Sequence, residues 1–435
     1  MNNKFIELKP SDLKSGQINL PGSKSISNRI LLLSSLAKGN TVINNLLFSD
    51  DTEIMISALK KLGINIKKNK KLNQCIVKGS DNLFPNKNVT LYIGNAGTAL
   101  RPLTAALAFN KGNYKLHGTN RMHERPIKDL VDSLNFIGAK IEYLDQFGYP
   151  PIKIKNSNQN INKINIKGNV SSQFLTSIIL SSTIFSKNKD FKIQVDGNLI
   201  SKPYVNITLK LMQLFGIKIL EKKNNLFLIP SQQILTSPKL INIESDASSA
   251  SYFLAAAAIG GGTIRIKGLG SKSIQGDIQF VKILEKMGAN IKLESHAVEV
   301  SCDKILKPIN EDLNHIPDSA MTIAILALYA NGVSVLRNIG SWRVKETDRL
   351  KAMSTELRKV GAKIIEGKDF LQIEPPLTFK NSSIDTYDDH RMAMSFSLVS
   401  LNSLNKKGAF IKINDPNCVS KTFPDYFDYF KKISY

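Results

Sequence analysis

A glycine followed by an alternating apolar run returns five times at nearly constant spacing, and this repetition restricts the fold more than any other feature of the chain. The five copies are Leu62-Gly-Ile-Asn-Ile66, Ile137-Gly-Ala-Lys-Ile141, Phe215-Gly-Ile-Lys-Ile219, Met287-Gly-Ala-Asn-Ile291 and Val360-Gly-Ala-Lys-Ile364, with their glycines 75, 78, 72 and 73 residues apart. A Gly just past a helix supplies the left-handed position that ends it, and the alternation after it is a half-buried strand. A second pattern recurs six times, a polar opening that runs into an apolar helical stretch. The openings are Pro21-Gly-Ser-Lys-Ser-Ile-Ser-Asn-Arg29, Asn95-Ala-Gly-Thr-Ala-Leu-Arg101, Ser171-Ser-Gln-Phe174, Asp246-Ala-Ser-Ser-Ala250, Pro317-Asp-Ser-Ala320 and Asp388-Asp-His-Arg391. Each stretch leads to an alternating strand, as in Thr41-Val-Ile-Asn44, Tyr114-Lys-Leu-His117 and Thr263-Ile-Arg-Ile266.

Each unit therefore holds about two helices and several strands. The last copy lacks the Gly and ends as Tyr426-Phe-Asp-Tyr-Phe-Lys-Lys-Ile433, as terminal repeats often do. Units of this length are too long for solenoid modules, and three make a typical domain, so six predict two similar α/β domains. The repeat phase assigns residues 22–241 to one domain and residues 1–21 with 242–435 to the other, the leading strand completing a sheet of the second group. The chain then crosses between domains twice, at Leu20-Pro21-Gly22 and at Pro238-Lys-Leu-Ile-Asn-Ile243. Paired crossings predict a hinge, with an active site in the cleft and closure around a ligand.

The helix openings are where chemistry is expected. A helix N-terminus presents unpaired N–H groups and partial positive charge, so Lys24, Ser25 and Arg29 make a place for a phosphate or carboxylate, although a plain Ser cap with surface bases has the same pattern. In Trp342-Arg-Val-Lys-Glu-Thr-Asp-Arg349 a helical reading puts Lys345 and Arg349 on one face and lets Glu346 pair with Arg349, functionally or as a solvated ion pair. Asp318 reads as an N-cap or as a base. Asp388-Asp-His390 has no companion at ligand spacing, so no metal is expected. The chain contains no G-x-S-x-G elbow, P-loop or G-x-G-x-x-G signature, which removes support for hydrolase, P-loop and dinucleotide readings.

The net charge of +23 raises the question of nucleic acid, but the lysines are scattered among Asn and Ile without a basic stripe or interleaved aromatics. The charge follows a composition rich in Lys, Asn and Ile, and its expected effect is to draw anions to a cleft. Cys75, Cys302 and Cys418 are isolated and odd in number, which points to a reducing compartment without disulfides or a thiolate metal site. The apolar stretches fall short of a membrane span. The opening Met1-Asn-Asn-Lys-Phe-Ile-Glu-Leu8 lacks a signal pattern and reads as a strand. A cytoplasmic monomer without nucleic-acid or membrane partner is the expectation.

The motifs together resemble those of the 5-enolpyruvylshikimate-3-phosphate synthases, of the enolpyruvyl transferase family. The resemblance rests on Pro21-Gly-Ser-Lys-Ser-Ile-Ser-Asn-Arg29, Gly94-Asn-Ala-Gly-Thr-Ala-Leu-Arg-Pro102, Arg125-Pro126, Ser171-Ser-Gln-Phe174, Ser201-Lys-Pro-Tyr204, Pro317-Asp318, Arg343-Val-Lys-Glu-Thr-Asp-Arg349, Asp389-His-Arg-Met-Ala-Met394 and Lys421-Thr-Phe-Pro-Asp-Tyr426, essentially end to end. It implies a two-domain inverted α/β barrel of six βαβαββ units, three per domain. It also implies transfer of the carboxyvinyl group of phosphoenolpyruvate to the 5-hydroxyl of shikimate 3-phosphate with release of phosphate, by addition and elimination through a tetrahedral intermediate, without metal or other cofactor. Asp318 is implied as proton acceptor, Glu346 as proton donor, and Lys24 beside the reacting atoms.

The resemblance gives phosphoenolpyruvate Lys24, Gly97, Arg125, Gln173, Arg349, Arg391 and Lys421. It gives shikimate 3-phosphate Lys24, Ser25, Arg29, Ser171, Ser172, Gln173, Ser201, Tyr204, Asp318, Ser341 and Lys345. Ser341 departs from the pattern, since the family commonly has Asn there and a hydroxyl reaches less far. Glyphosate occupies the phosphoenolpyruvate pocket in the family, so sensitivity to it is expected. The sister transferases acting on UDP-N-acetylglucosamine fit less well, because they usually carry a reactive Cys before their Arg-Pro and residues 110–125 contain none.

Overall fold

The computed structural model describes residues 4–169 and 171–435. Of the strand read in the opening residues, Phe5–Leu8 is a strand, while residues 1–3 lie outside the described residues. The chain divides into two compact units, Gly22–Ile243 and the segment up to Pro21 joined with Glu244–Tyr435. The second crossing falls two residues beyond the position expected from the repeat phase. The reason is a strand, Leu240–Asn242, which pairs parallel with Asn40–Asn44 and so keeps the chain in the first unit through Ile243.

Nine helices position the residues of interest. In the Gly22–Ile243 unit they are α1 (Lys24–Leu36), α2 (Asp50–Lys61), α3 (Gly97–Leu107), α4 (Ser172–Leu180) and α5 (Lys202–Leu214). In the other unit they are α6 (Ala247–Gly260), α7 (Ala320–Ala327), α8 (Arg349–Lys359) and α9 (His390–Ser397). Every residue of α1 except Ser25 is buried, and α7 and α9 are buried throughout. Of these only α7 is apolar on all sides, so it has no solvent face and must sit inside its unit, whereas α1 and α9 are buried together with their polar residues. Within the first unit α1, α3 and α4 pack on one another, and in the second α7 packs against both α6 and α9.

Small sheets accompany these helices, and one strand order recurs. In the sheet Asn88–Tyr92, Asn113–His117, Ile152–Lys155, Lys140–Tyr143 the first pair is parallel and the next two are antiparallel. Leu91, Leu116 and Ile152 stand in register in that sheet and are wholly buried, while Lys115 and Lys153 alternate outward. That is the one-sided burial expected of a period-two pattern. Among the described residues five four-stranded sheets share this order. A sixth has three strands, Ser382–Ile384 and Ile411–Asn414 in parallel with Phe5–Leu8 antiparallel at the edge. The five repeat glycines, Gly63, Gly138, Gly216, Gly288 and Gly361, all have φ between 84° and 108°, the left-handed position required by the helix-to-strand turn.

Among the described residues, no helix is long and apolar enough to cross a membrane, and no three His, Cys, Asp or Glu side chains gather as a metal site.

Candidate active site

In the Gly22–Ile243 unit the openings of α1 and α3 have no side-chain cap, whereas Ser171 caps α4 by accepting the Gln173 N–H at 3.2 Å. Lys24 begins α1 and lies 3.4 Å from Asp51 at the start of α2. One turn further, Arg29 turns its guanidinium onto neutral oxygens. Its Nε donates to Thr208 Oγ1 at 2.8 Å, Nη1 to the Ser25 carbonyl at 2.7 Å and Nη2 to the Tyr204 carbonyl at 3.5 Å. Burial lowers its pKa to about 10, so it remains charged at neutral pH. These bonds tie α1 to α5, which is preceded by Ser201 in the left-handed region at φ 52°.

A second group forms around Gly97. Arg125 donates through Nη1 to both the carbonyl and Oδ1 of Asn95, at 3.0 and 2.9 Å, and is 2% exposed. Arg101, one turn along α3, donates to Gln173 Oε1 at 2.8 Å and to the Pro126 carbonyl at 3.0 Å, its guanidinium lying 5.6 Å above the Phe174 ring. A β-carbon added at Gly97 would stand 2.5 Å from Arg101 Nη1 and 2.8 Å from Arg125 Nη2. Glycine here lets two guanidinium groups close over the backbone. This cluster is therefore cationic and preformed, suited to binding anions.

The other unit brings together Asp318, Lys345, Glu346, Arg349 and Arg391. Arg349, 1% exposed at its side chain, touches three carboxylates. Its Nε and Nη2 reach Asp389 at 2.7 and 3.3 Å, Nη2 reaches Glu346 at 2.9 Å and Nη1 reaches Asp318 at 3.2 Å. Asp318 also accepts from Arg391 Nη2 at 2.9 Å and lies 3.5 Å from Lys345 Nζ. Burial alone would raise the Asp318 pKa, but Arg391, then Lys345 and Arg349, overcome it and hold the carboxyl well below its usual range. Burial leaves Lys345 with a lowered pKa despite the Asp318 charge. For Arg349 the three carboxylates outweigh burial and raise its pKa further. Trp342 fixes the approach by donating to the Pro317 carbonyl at 2.7 Å, and Ser319 Oγ donates to the buried Asp277 at 2.8 Å, which anchors the turn on the other side of Asp318.

The helical reading of Trp342–Arg349 is corrected here. Gly340–Val344 is a single 3-10 turn, Lys345 is extended, and Asp348 caps α8 by accepting the Lys351 N–H, so the helix starts only at Arg349. The cap wins because an Asp oxygen satisfies a first-turn N–H that the preceding residues would otherwise have to continue. Glu346 and Arg349 pair nonetheless. Lys421 lies in a 3-10 turn, Pro416–Lys421, near enough to Asp388 to favour its ionised form, although burial dominates and raises that carboxyl. Ser341 joins neither group, and its Oγ has no hydrogen-bond partner among the described residues.

Several residues of these clusters had no binding or catalytic role assigned from the sequence. Asp51 stands beside Lys24, Asn95 orients Arg125, Arg101 braces Gln173, Tyr252 accepts from Arg391 at 3.2 Å, and Asp389 joins Arg349 to the start of α9. Buried His390 follows Asp389, their side chains 3.5 Å apart. Arg101 sits four residues after Gly97, one helical turn, which would have placed it.

A family model described as EPSP synthase (3-phosphoshikimate 1-carboxyvinyltransferase) matches residues 8–430. A 3-phosphoshikimate 1-carboxyvinyltransferase of Janthinobacterium sp. (strain Marseille) is 52% identical over 430 residues, covering 99% of this chain and 98% of that one. The protein of the same name from Paraburkholderia phytofirmans is 54% identical over 437 residues, covering 99% of both. The solved structure of EPSP synthase from Acinetobacter baumannii superposes with a TM-score of 0.80 at 24% identity, over 99% of this chain and 98% of that one, and shares the α/β fold.

Proposed function

The chain belongs to the EPSP synthase family and is an enzyme of the shikimate pathway, transferring the carboxyvinyl group of phosphoenolpyruvate to shikimate 3-phosphate, and from that premise we propose how its residues divide the work. Carbon 2 of phosphoenolpyruvate becomes electrophilic when its methylene is protonated, so an acid must act there while a base receives the proton of the attacking 5-hydroxyl. Asp318 is the base and Glu346 the acid. The observation that carries this assignment is the placement of both carboxylates around one buried guanidinium, with Asp318 held ionised by three cations.

A carboxylate stabilised so strongly is a weak base. Anionic substrates bound beside Arg391, Lys345 and Arg349 offset those cations, raise the proton affinity of Asp318 and make the transfer possible when both ligands are present. The same added charge favours a proton on Glu346. With a proton on the methylene and the 5-oxygen bonded to carbon 2, the tetrahedral adduct then loses phosphate as the C–O bond breaks and the methyl returns a proton.

Shikimate 3-phosphate is held by Lys24, Ser25, Arg29, Ser171, Ser172, Gln173, Ser201, Tyr204 and Lys345, with Asp318 at its reacting hydroxyl. Phosphoenolpyruvate is held by Lys24, Gly97, Arg125, Gln173, Arg349, Arg391 and Lys421. Ser341 makes at most a weak contact. The buried helices and one-sided sheets support an inverted α/β barrel in each unit of a cytoplasmic monomer. A coupled assay of phosphate release, comparing shikimate 3-phosphate with UDP-N-acetylglucosamine as acceptor, tests the function. Release is expected with the first only, and release with the second alone would refute it.

A further inference from the structure

Two side chains of α8, seven residues apart and so on one face of the helix, grip a single turn. Arg349 holds Asp389 at one end of it. Glu356, fully buried, divides its carboxylate at the other. One oxygen accepts the Tyr387 hydroxyl at 2.7 Å, and the second accepts the Asp385 backbone N–H at 3.2 Å and lies 2.8 Å from Lys359 Nζ. Between these anchors, Thr386–Asp389 forms a four-residue turn closed by a 2.8 Å bond from the Asp389 N–H to the Thr386 carbonyl. Its central residues, Tyr387 and Asp388, have φ of 53° and 54°.

Turns with both central residues at positive φ ordinarily use Gly, Asn or Asp, and an aromatic residue there is an outlier that persists only where its surroundings over-determine it. The turn feeds straight into the site. Asp389 caps α9 by accepting the Arg391 N–H at 3.0 Å, and the Arg391 side chain reaches Asp318 at 2.9 Å. We propose that Glu356 is a positioning residue for the reaction, locking Tyr387 and Asp388 in their left-handed turn so that Asp389 and Arg391 are held in place beside Asp318. Tyr387 keeps its proton for this bond, since burial first and the Glu356 charge second push the phenol upward. The proposal rests on the reading of Arg391 as a ligand of phosphoenolpyruvate.

Four variants test it by steady-state kinetics, direct binding of shikimate 3-phosphate and thermal melting. Glu356→Ala removes the bonds to Tyr387 and Asp385 and is expected to raise KM for phosphoenolpyruvate about tenfold or more with a fall in kcat, since small misplacements at a reacting centre are costly. The Kd for shikimate 3-phosphate should stay within about twofold, because its ligands lie mostly in the Gly22–Ile243 unit. Glu356→Gln should remain within about threefold of the parent, its carbonyl accepting from Asp385 and its amide donating to the phenol oxygen. Tyr387→Phe, which deletes one hydroxyl from a partly exposed ring, should raise the same KM about three- to tenfold. It decides the matter if Glu356→Ala does not fold. Combined, the Ala and Phe changes should cost no more than Ala alone, because they break one path.

An unchanged KM for phosphoenolpyruvate in Tyr387→Phe, effects that multiply in the double variant, or a loss that follows only the folded fraction would overturn the proposal. A parent that releases no phosphate from the two substrates would overturn the reading of the site and the proposal with it, whereas an active parent with unaffected variants overturns the proposal alone.

Discussion

The openings of the inner helices differ between the two units in a way that divides the chemistry. In Gly22–Ile243 the three openings contain no Asp or Glu, and the nearest carboxylate with a described ion pair is Asp51, 3.4 Å from Lys24. The described bonds of Arg29, Arg101 and Arg125 go to neutral oxygens of Thr208, Gln173, Asn95 and backbone carbonyls. In the Glu244–Tyr435 unit every opening contains an Asp. Asp246 and Asp389 cap α6 and α9, while Asp318 stands just before α7 and faces three cations. The same repeat therefore carries two different charge arrangements. A helix start left positive is suited to anions, and carboxylates set among cations are suited to moving protons.

The largest expected effect tests the acidic half. Asp318→Asn and Glu346→Gln keep shape and lose proton transfer, so kcat should fall by about 10²–10⁴ with little change in KM. Steady-state turnover at saturating substrates checks this. Near-parental turnover in either variant would remove that residue from the chemical step.

The cationic half should respond in affinity instead. A methyl group at Gly97 must displace the ends of Arg101 and Arg125, which crowds the pocket for a longer inhibitor more than for phosphoenolpyruvate. Gly97→Ala should raise the inhibition constant for glyphosate by about a hundredfold and the KM for phosphoenolpyruvate by about tenfold, within the range of one methylene-sized change. Equal losses would indicate a merely deformed backbone. Arg125→Lys, which gives up a planar fork for a point charge, should raise the phosphoenolpyruvate KM about tenfold while kcat changes less. A fall in kcat alone would put Arg125 with the proton-transfer group and blur the division between units.

Acid titration separates the halves with the smallest signal. Asp318 has a folded pKa below its ordinary 3.8, so it adds stability that is present above that value and is lost as pH falls through the folded pKa. Removing its charge takes one carboxylate from a cluster of three buried cations, and Asp318→Asn should cost about 3 kcal/mol at pH 7. In thermal melts the gap between parent and variant should be constant from pH 7 to about 4 and narrow below. Arg29→Met, whose described partners are all uncharged, should show a gap that does not change over the same pH range. A narrowing gap for Arg29→Met would mean that an acidic partner shares its charge.

Much of this was legible because repetition converts local signals into architecture. The repeat glycines gave helix ends to the residue, and the strand beginning at Thr41, for example, is observed as Asn40–Asn44. What stayed hidden depends on distance in sequence. Asp51 meets Lys24 from another helix, Tyr252 meets Arg391 across 139 positions, and Glu356 reads as one more charge on an amphipathic helix until its depth is known. The break of Lys345–Asp348 from helical form was masked by good local propensity, and only the Asp348 cap decided it. Burial, which turns an exposed ion pair into a poised carboxylate, has no signature in a single charged motif.

The division of labour is tested most directly by single-turnover quench kinetics on Asp318→Asn, with binding of both substrates measured on the same preparation. The account predicts that shikimate 3-phosphate and phosphoenolpyruvate bind within about threefold of the parent while the tetrahedral adduct forms about 10² or more times slower. Adduct formation at the parental rate, or a loss of binding as large as the loss of rate, would contradict it.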